Sequence, residues 1–424
     1  MKMTHAKGSK LGWFICSLGA LFYAYEYLLR ISPGVMGPDL MRSFNASAAM
    51  LGNLSAIYYY AYNPMQIPVG VMMDKYGPRA ILTFAVFCCV VGTLMFGMTT
   101  SVWVAGVGRF FIGFGSAFAF VGVLKLASLW LPPNRFALVS GLTTTLGFIG
   151  GGAVGYMVLA RWVDKIGWSD TMLYLGGLGC LLIPVMWFLI KDHHEPRIAA
   201  EKEIHSYKKL WQEVYAVLTN RQVLLNGLVG GFLMLPTSVF AELWGVQYLQ
   251  VVHHLDHTTA ASAVSMIFVG WAVGAPISGF FSDHYKRRVL PMRMGSLIAA
   301  LLLFAILYLP FDQKFVLFAL LFLFGVASST EIICFAVGCE NSKPHMAGTA
   351  AATTNFLITL GPVFFQPLVG CFLDLTWTGQ FFEGIRVYTP QGYKTAYFIL
   401  PATMFIATFL SFWLKETYCR SQHD

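Results

Sequence analysis

Twelve apolar runs dominate this sequence, each about the roughly 20 residues that a helix needs to cross a hydrocarbon core. They lie near residues 11–32, 48–73, 79–98, 102–131, 136–160 and 170–190, and then near 222–249, 259–282, 289–309, 315–339, 346–373 and 393–415. In lipid every backbone polar group must bond within its own segment or in a closed barrel, so apolar runs of this length are predicted to be helices. Twelve spans with short connections use up the 424 residues and leave no room for a separate soluble domain. The composition agrees, because 57% hydrophobic against 11% charged residues excludes a soluble enzyme, a secreted disulfide scaffold and a nucleic-acid binder. An all-α membrane protein, embedded in a lipid bilayer, is the expected fold class.

Charge placement orients the spans. Of 28 Lys and Arg, 19 fall on the side that holds both termini and 6 on the opposite side, with Arg30, Arg109 and Lys125 inside spans. The positive-inside rule therefore predicts cytoplasmic termini, in a bacterial inner membrane. The basic Met1–Lys10 segment precedes a run too long for a signal peptide, and that run carries Glu26 and Arg30, so an uncleaved first helix is expected. The eight cysteines, Cys16, Cys88, Cys89, Cys180, Cys334, Cys339, Cys371 and Cys419, lack CxxC or His-partnered spacing and read as small buried hydrophobes. His253, His254 and His257, with Asp256, read as a solvated outer loop in preference to a metal site. No P-loop, nucleophile elbow or zinc signature is present, so neither enzymatic chemistry nor a cofactor or metal is expected.

The longest polar stretch divides the chain into residues 1–190, a linker at 191–221, and residues 222–424. Within the linker Ile204, Tyr207, Trp211, Val214 and Leu218 recur at helical spacing opposite Lys202, Lys208, Lys209 and Glu213, which predicts an amphipathic helix tethering two halves. The halves repeat. Gly70, Asp74, Tyr76 and Arg79 at the end of the second span recur as Gly279, Asp283, Tyr285 and Arg288 at the end of the eighth, at a constant offset of 209. A six-helix unit duplicated in parallel is one signature of secondary transporters.

Gly70 to Arg79 is similar to the GxxxDxxGxR signature of the major facilitator superfamily, and the resemblance covers essentially the whole chain. It implies twelve transmembrane helices in two pseudo-symmetric six-helix bundles that open alternately to the two sides. It also implies a conformational latch: Asp74 at a helix end held by Arg79, with Gly70 in the same signature and Asp283 and Arg288 as the second copy. Arg109, Gly113 and Gly115 resemble the family's RxxxGxG element. Gly147, Gly151 and Gly155 in the fifth span, and Gly270, Gly274 and Ser278 in the eighth, form small-residue stripes that let helices slide past one another. The family's antiporters carry a proline where this chain has Gly152, which favours a symporter or uniporter. Trp130 to Arg135 resembles the organic anion:cation symporter branch, although Glu26 and Arg30 are separated where that branch has an adjacent acid and arginine, and Ser116 stands where it has an acid. The run from Tyr25 to Arg30 looks closer to nutrient importers of intracellular gammaproteobacteria, which take up amino acids.

The residues that would line a cavity can be read from spacing. Tyr23, Glu26, Tyr27 and Arg30 share one face of the first span, and ionisable groups at that depth need a wet cavity or a partner. A self-satisfied Glu26–Arg30 pair is the structural alternative. Arg109 is deep enough to be functional by default and comes level with Glu26. In the second span Tyr59, Asn63 and Gln66 share a face assigned to the cavity, with Tyr58 and Tyr60 assigned to packing. The last six spans add Glu242, Trp244, Gln247, Glu331, Asn355 and Thr359. A carboxyl group held away from water can carry a proton at physiological pH, which makes Glu26, Glu331 and Glu242 the candidates for proton coupling. Lys125 either snorkels to the interface or meets solute. Together these features predict a monomeric carrier that imports a small carboxylate-bearing solute, an amino acid or short peptide, by proton symport. A carboxylate siderophore or organic anion, an efflux carrier, and a membrane receptor that does not transport are the rival readings.

Overall fold

The computed structural model describes residues 10–132, 135–191, 207–311, 313–343, 346–382 and 384–422. Lys2, Lys7, Pro133, Asn134, Lys202 and Ile204 lie outside the described residues. Ten helical stretches are long and apolar enough to cross a bilayer: Lys10–Ser43, Pro78–Met98, Val102–Trp130, Leu138–Leu189, Arg221–His253, His257–His284, Val289–Tyr308, Lys314–Glu340, Ala347–Leu375 and Pro390–Leu410. Leu138–Leu189 counts twice. It breaks at Gly167, where φ is +82°, a conformation only glycine adopts without strain, and Trp130 Nε1 reaches the Lys191 carbonyl at 3.2 Å on the way back. The broken pair Ala48–Met65 and Val69–Tyr76 supplies the remaining span, so the chain is a twelve-helix membrane protein.

Several spans depart from plain α-helix, each for a local reason. The first runs on to Ser43, eleven residues beyond the run read from sequence, with Pro33 and Pro38 inside it. The second breaks at Gln66–Pro68, between Pro64 and Pro68, because each proline removes a backbone donor. The fifth and seventh widen into π-turns over Gly147–Val154 and Thr237–Trp244, the latter directly after Pro236. The tenth tightens to a 3₁₀ turn at Ser329–Ile332. A short hairpin, Phe381–Phe382 with Ile385–Arg386, precedes the last span.

Small residues set the helix packing. A Cβ on Gly151 would press on the Ala24 carbonyl and Tyr27, so the fifth span lies on the first, and Gly270 and Gly274 bring the eighth span onto the tenth in the same way. Gly152 faces the Phe268 ring of the eighth span. Trp103, Phe188, Phe280, Phe315, Phe364 and Phe409 are exposed on the outside of the bundle, where a bilayer solvates them. The eight cysteines are free thiols, but Cys180 and Cys371 are exposed, which corrects their reading as buried: both sit on outward faces of their spans.

The linker helix, Tyr207–Leu218, buries part of the face read in the sequence together with the positions beside it. Val214 and Val217 are buried, Val217 against Val223, Met346 and Ala350, while Trp211 and Tyr215 are exposed. Glu213, placed on the polar side by spacing, is buried because Thr349 Oγ1 of the eleventh span donates to it at 2.9 Å. The helix thus packs on the last six spans through a hydrogen bond that periodicity does not reveal.

The first six spans meet the last six along a seam that begins at the end away from the termini. There Ala48 N donates to Tyr388 Oη at 3.0 Å and Ala49 N to Asp374 at 3.0 Å. Gly52 abuts the Gln366 carbonyl, and Gly370 the Ala48 carbonyl. His257, read as a loop residue, instead begins the eighth span and bridges to Asp164 and to the Val35 carbonyl. Further in, Tyr156 Oη donates to the Ala241 carbonyl at 2.6 Å, and the joining hydrogen bonds continue to Gln66 with Asn355.

At the opposite end each half carries its own charge cluster. In the last six spans Arg288 holds Asp283 at 2.6 Å and Glu340 at 2.7 Å and donates to Ser282. Glu416 takes the backbone N–H groups of Arg288 and Val289, and Thr417 Oγ1 donates to Glu340, so the segment after the twelfth span is part of the cluster. In the first six spans Asp74 pairs with Lys125 at 2.6 Å, and Arg79 lies over the Trp187 ring at 4.3 Å. Lys125 therefore serves Asp74, which neither sequence reading of it foresaw. Arg288→Ala is expected to lower stability by about 3 kcal/mol, since it strands the mostly buried Glu340, whereas Lys125→Met is expected to cost under about 1 kcal/mol. Thermal unfolding midpoints of the two variants in detergent check the contrast.

Candidate functional site

Midway along the seam the polar residues of the first span form one network. Glu26 is fully buried and accepts from Arg30 Nη2 at 3.0 Å and from Tyr58 Oη at 3.0 Å, while Arg30 Nε donates to the same Tyr58 oxygen at 3.0 Å. The guanidinium of Arg30 also lies within 5.5 Å of the Tyr27, Tyr58 and Tyr62 ring centres. Tyr58 therefore belongs to the site and not to packing. Its side chain reaches Glu26 because Gly113 lets the fourth span touch the Tyr58 backbone, where any Cβ would collide. Tyr62, stacked on Tyr58, was also missed, and the tyrosine run itself was the signal. Tyr60 is exposed on the outside.

Arg109 is placed differently from the sequence expectation. Its Nη1 donates to the Leu29 carbonyl at 2.9 Å and its Nη2 to the Arg30 carbonyl at 3.3 Å, with Tyr58's ring 5.1 Å away. Pro33 explains this, because the residue four after Leu29 would normally supply the donor and proline has none. Ser32 Oγ donates to the same carbonyl at 2.9 Å. Arg109 thus mends a broken turn of the first span and fixes the backbone from which Arg30 projects.

The cavity face of the second span meets the last six spans. Tyr59 Oη donates to Glu242 Oε2, Asn63 Nδ2 to the Thr359 carbonyl at 2.8 Å, and Asn355 Nδ2 to Gln66 Oε1 at 2.9 Å. Glu242 sits in the π-turn of the seventh span, whose widened backbone aims it across the seam. Trp244 Nε1 donates to the Gln366 carbonyl at 3.3 Å, and Gln247 accepts from Tyr393 at 3.5 Å. Glu26, Arg109, Tyr59 and Glu242 are each at most 2% exposed, so the seam is shut around them.

Five buried polar atoms along the length of the seam have no partner: Tyr27 Oη, Gln66 Nε2, Gln247 Nε2, Gln366 Oε1 and Glu242 Oε1. They come from both sets of six spans. Tyr23 packs on Gly147 and on the Phe120 ring, 5.4 Å between centres, at the edge of the network. Glu331 lies apart, buried in the 3₁₀ turn of the tenth span, with no hydrogen bond or ion pair among the described residues. Among those residues no group of three or more His, Cys, Asp and Glu side chains is placed to hold a metal ion.

The chain is 25% identical over 289 residues to the probable sulfoacetate transporter SauU of Cupriavidus necator, spanning 66% of this chain and 67% of that one. It is 19% identical to the probable galactarate/D-glucarate transporter GudP of Escherichia coli, covering 89% of each. It is 24% identical to the membrane sensor protein UhpC of Salmonella typhimurium, covering 85% of each. None of these three is named as an amino-acid importer. Among solved structures it resembles a bacterial homologue of the lysosomal transporter Spinster in an inward-facing, unoccupied conformation, at 17% identity and a TM-score of 0.77 over 96% of this chain and 98% of that one. A D-xylose–proton symporter has the same fold, at 14% identity and a TM-score of 0.71 over 96% and 98%. The profile described as Major Facilitator Superfamily matches residues 16–366, and together with the twelve spans this establishes that the chain is a non-enzymatic member of the Major Facilitator Superfamily.

Proposed function

We propose that the chain imports a small carboxylate-bearing organic anion across a bacterial inner membrane by proton symport, as a monomer with both termini cytoplasmic. The observation that carries this is the set of partnerless polar atoms on both sides of the seam. Burying a donor or acceptor without a partner costs about 1–3 kcal/mol, so Tyr27 Oη and Glu242 Oε1, one from each half and both near Arg30, mark a site completed by something else. Tyr27 offers a donor suited to carboxylate and hydroxyl oxygens, with Arg30 beside it supplying charge. The likeness to a probable sulfoacetate transporter and to a probable galactarate/D-glucarate transporter supports an organic acid over an amino acid. An amino acid remains the second substrate reading on one ground: Glu242 Oε1 would suit an ammonium group.

Residues 1–190 and 222–424 are the two bodies that would rock about this site, and the clusters at Asp74 and at Asp283 with Arg288 would latch it. A membrane sensor that binds solute without moving it is the rival of a different class, favoured by the likeness to UhpC. A thermal-shift screen of sulfonated acids, hydroxylated diacids, amino acids and dipeptides on the purified protein identifies the solute, since ligands of the folded state raise its melting temperature. Uptake of that solute into liposomes is then expected to follow an imposed proton gradient and to collapse with a protonophore. Uptake indifferent to both would make the protein a uniporter or couple it to another ion, and binding without uptake would make it a sensor.

A further inference from the structure

We propose that the eighth and tenth spans form a binding site for one phospholipid, with an acyl chain in the groove between their outer ends and a headgroup carrying both an amine and a phosphate at its mouth. The two spans run side by side, and glycines press them together in the middle. A Cβ on Gly270 would strike the Phe322 carbonyl, and one on Gly325 the Ile267 carbonyl. Towards the outer end neither 257–269 nor 314–324 contains a glycine. Large side chains hold the spans apart there. A groove of about 470 Å³ is left, with Thr259 and Met266 on one wall and Lys314, Phe318, Ala319 and Phe322 on the other.

The groove suits a hydrocarbon chain. Its walls are carbon almost throughout, and it opens sideways past Phe315, which is 80% exposed on the face that the bilayer solvates. From Lys314 to Phe322 the tenth span rises about 12 Å, most of the depth of one hydrocarbon leaflet at about 15 Å. A chain seated here is held on two sides, so it gains contacts that a lipid lying on a single helix face lacks.

The mouth selects the headgroup. Lys314 stands there, exposed and without an ion pair among the described residues, with its stem along the groove wall. Across the groove the exposed Asp256 caps the eighth span, accepting from Thr259 N at 3.0 Å and from Thr258 Oγ1 at 2.8 Å. Thr259 itself lines the groove, so the carboxylate lies one hydrogen bond from the wall. A phosphate suits the ammonium of Lys314 and an amine suits Asp256, whereas a purely anionic headgroup would be repelled by the carboxylate. The wall begins two residues after His257, which bonds Asp164 and the Val35 carbonyl of the first six spans, so a lipid here braces the turn that carries the outer end of the seam. This site is separate from the solute network and stands whether or not the chain moves solute.

The test is native mass spectrometry of the full-length protein in mild detergent, titrated with phosphatidylethanolamine or phosphatidylglycerol of the same acyl chains. One phosphatidylethanolamine per protein is expected to stay bound, about fivefold more tightly than phosphatidylglycerol. Lys314→Ser, at an exposed position, should erase that preference. Ala319→Trp fills the groove and should weaken retention of either lipid about tenfold, while Leu301→Trp, on an exposed face of the ninth span, should change nothing. Equal retention of the two lipids by the unmodified protein, or an unchanged preference in Lys314→Ser, would overturn the proposal. So would full retention by Ala319→Trp with its melting temperature unchanged, or a dimer in place of the lipid adduct that Ala319→Trp disperses.

Discussion

Replacing Glu242 by glutamine is expected to abolish proton-driven accumulation while leaving solute-for-solute exchange largely intact. Glu242 is the carboxyl group at the joint: Tyr59 from the opposite half donates to one oxygen, and the other has no partner. An ionised carboxylate in a site sealed from water is costly unless it is paired. Its charge is therefore supported either by a solute or by the rearrangement that reopens the seam, and protonation state becomes linked to occupancy. Glutamine keeps the shape and still accepts from Tyr59, but it has no proton to trade. Without that proton the solute can only equilibrate across the membrane, so no accumulation above the outside concentration is expected. Counterflow and gradient-driven uptake in liposomes measure the two activities separately. Glu26 is already held by Arg30 and Tyr58, so Glu26→Gln should weaken exchange as well as accumulation. If Glu242→Gln still accumulates solute and Glu331→Gln does not, the coupling proton resides in the tenth span.

Arg109→Ala is expected to be the most destabilising of these substitutions, and Pro33→Ala is expected to rescue part of the loss. The arginine supplies donors to the carbonyls of Leu29 and Arg30 deep in the bundle, and removing it leaves Leu29 with Ser32 alone across a turn that has no backbone donor. Two weakened buried carbonyls and the space left by a large side chain amount to about 3–5 kcal/mol. Alanine at position 33 restores the missing N–H and should return about 1–2 kcal/mol of that. Melting temperatures of the two single variants and the double variant give the coupling between them. Additive effects would mean that Arg109 does not act by repairing the first span, and its role would revert to solute binding.

The architecture was legible because lipid leaves few solutions: run length gave the number of spans, and the 209-residue offset exposed the duplication. The site was legible in part. Helical spacing alone put Tyr59, Asn63 and Gln66 on one face, and that face does meet Glu242, Thr359 and Asn355. What spacing could not supply was the partner chosen by each group. Arg109 serves the backbone because of a proline 76 positions earlier in the chain, and nothing local to Arg109 reports that. Tyr58 lies one position off the cavity face and yet bonds Glu26, because close approach at Gly113 tilts the second span toward the fourth. His257 looked like loop because its acceptors, Asp164 and Val35, come from two other spans.

The two end clusters differ in one further respect, their response to ionic strength. The Asp74–Lys125 pair stands largely in water, with side chains 66% and 30% exposed, where mobile ions at physiological salt screen charges over about 8 Å. Arg288 and Glu340 are 11% and 14% exposed and are knitted to Ser282, Thr417 and Glu416, where counterions scarcely reach. A rise in salt at that end therefore slackens one half of the molecule and leaves the other taut. Two halves descended from one repeat are in this sense tuned to different solvents: the first follows the electrolyte around it, and the second carries its own counter-charges.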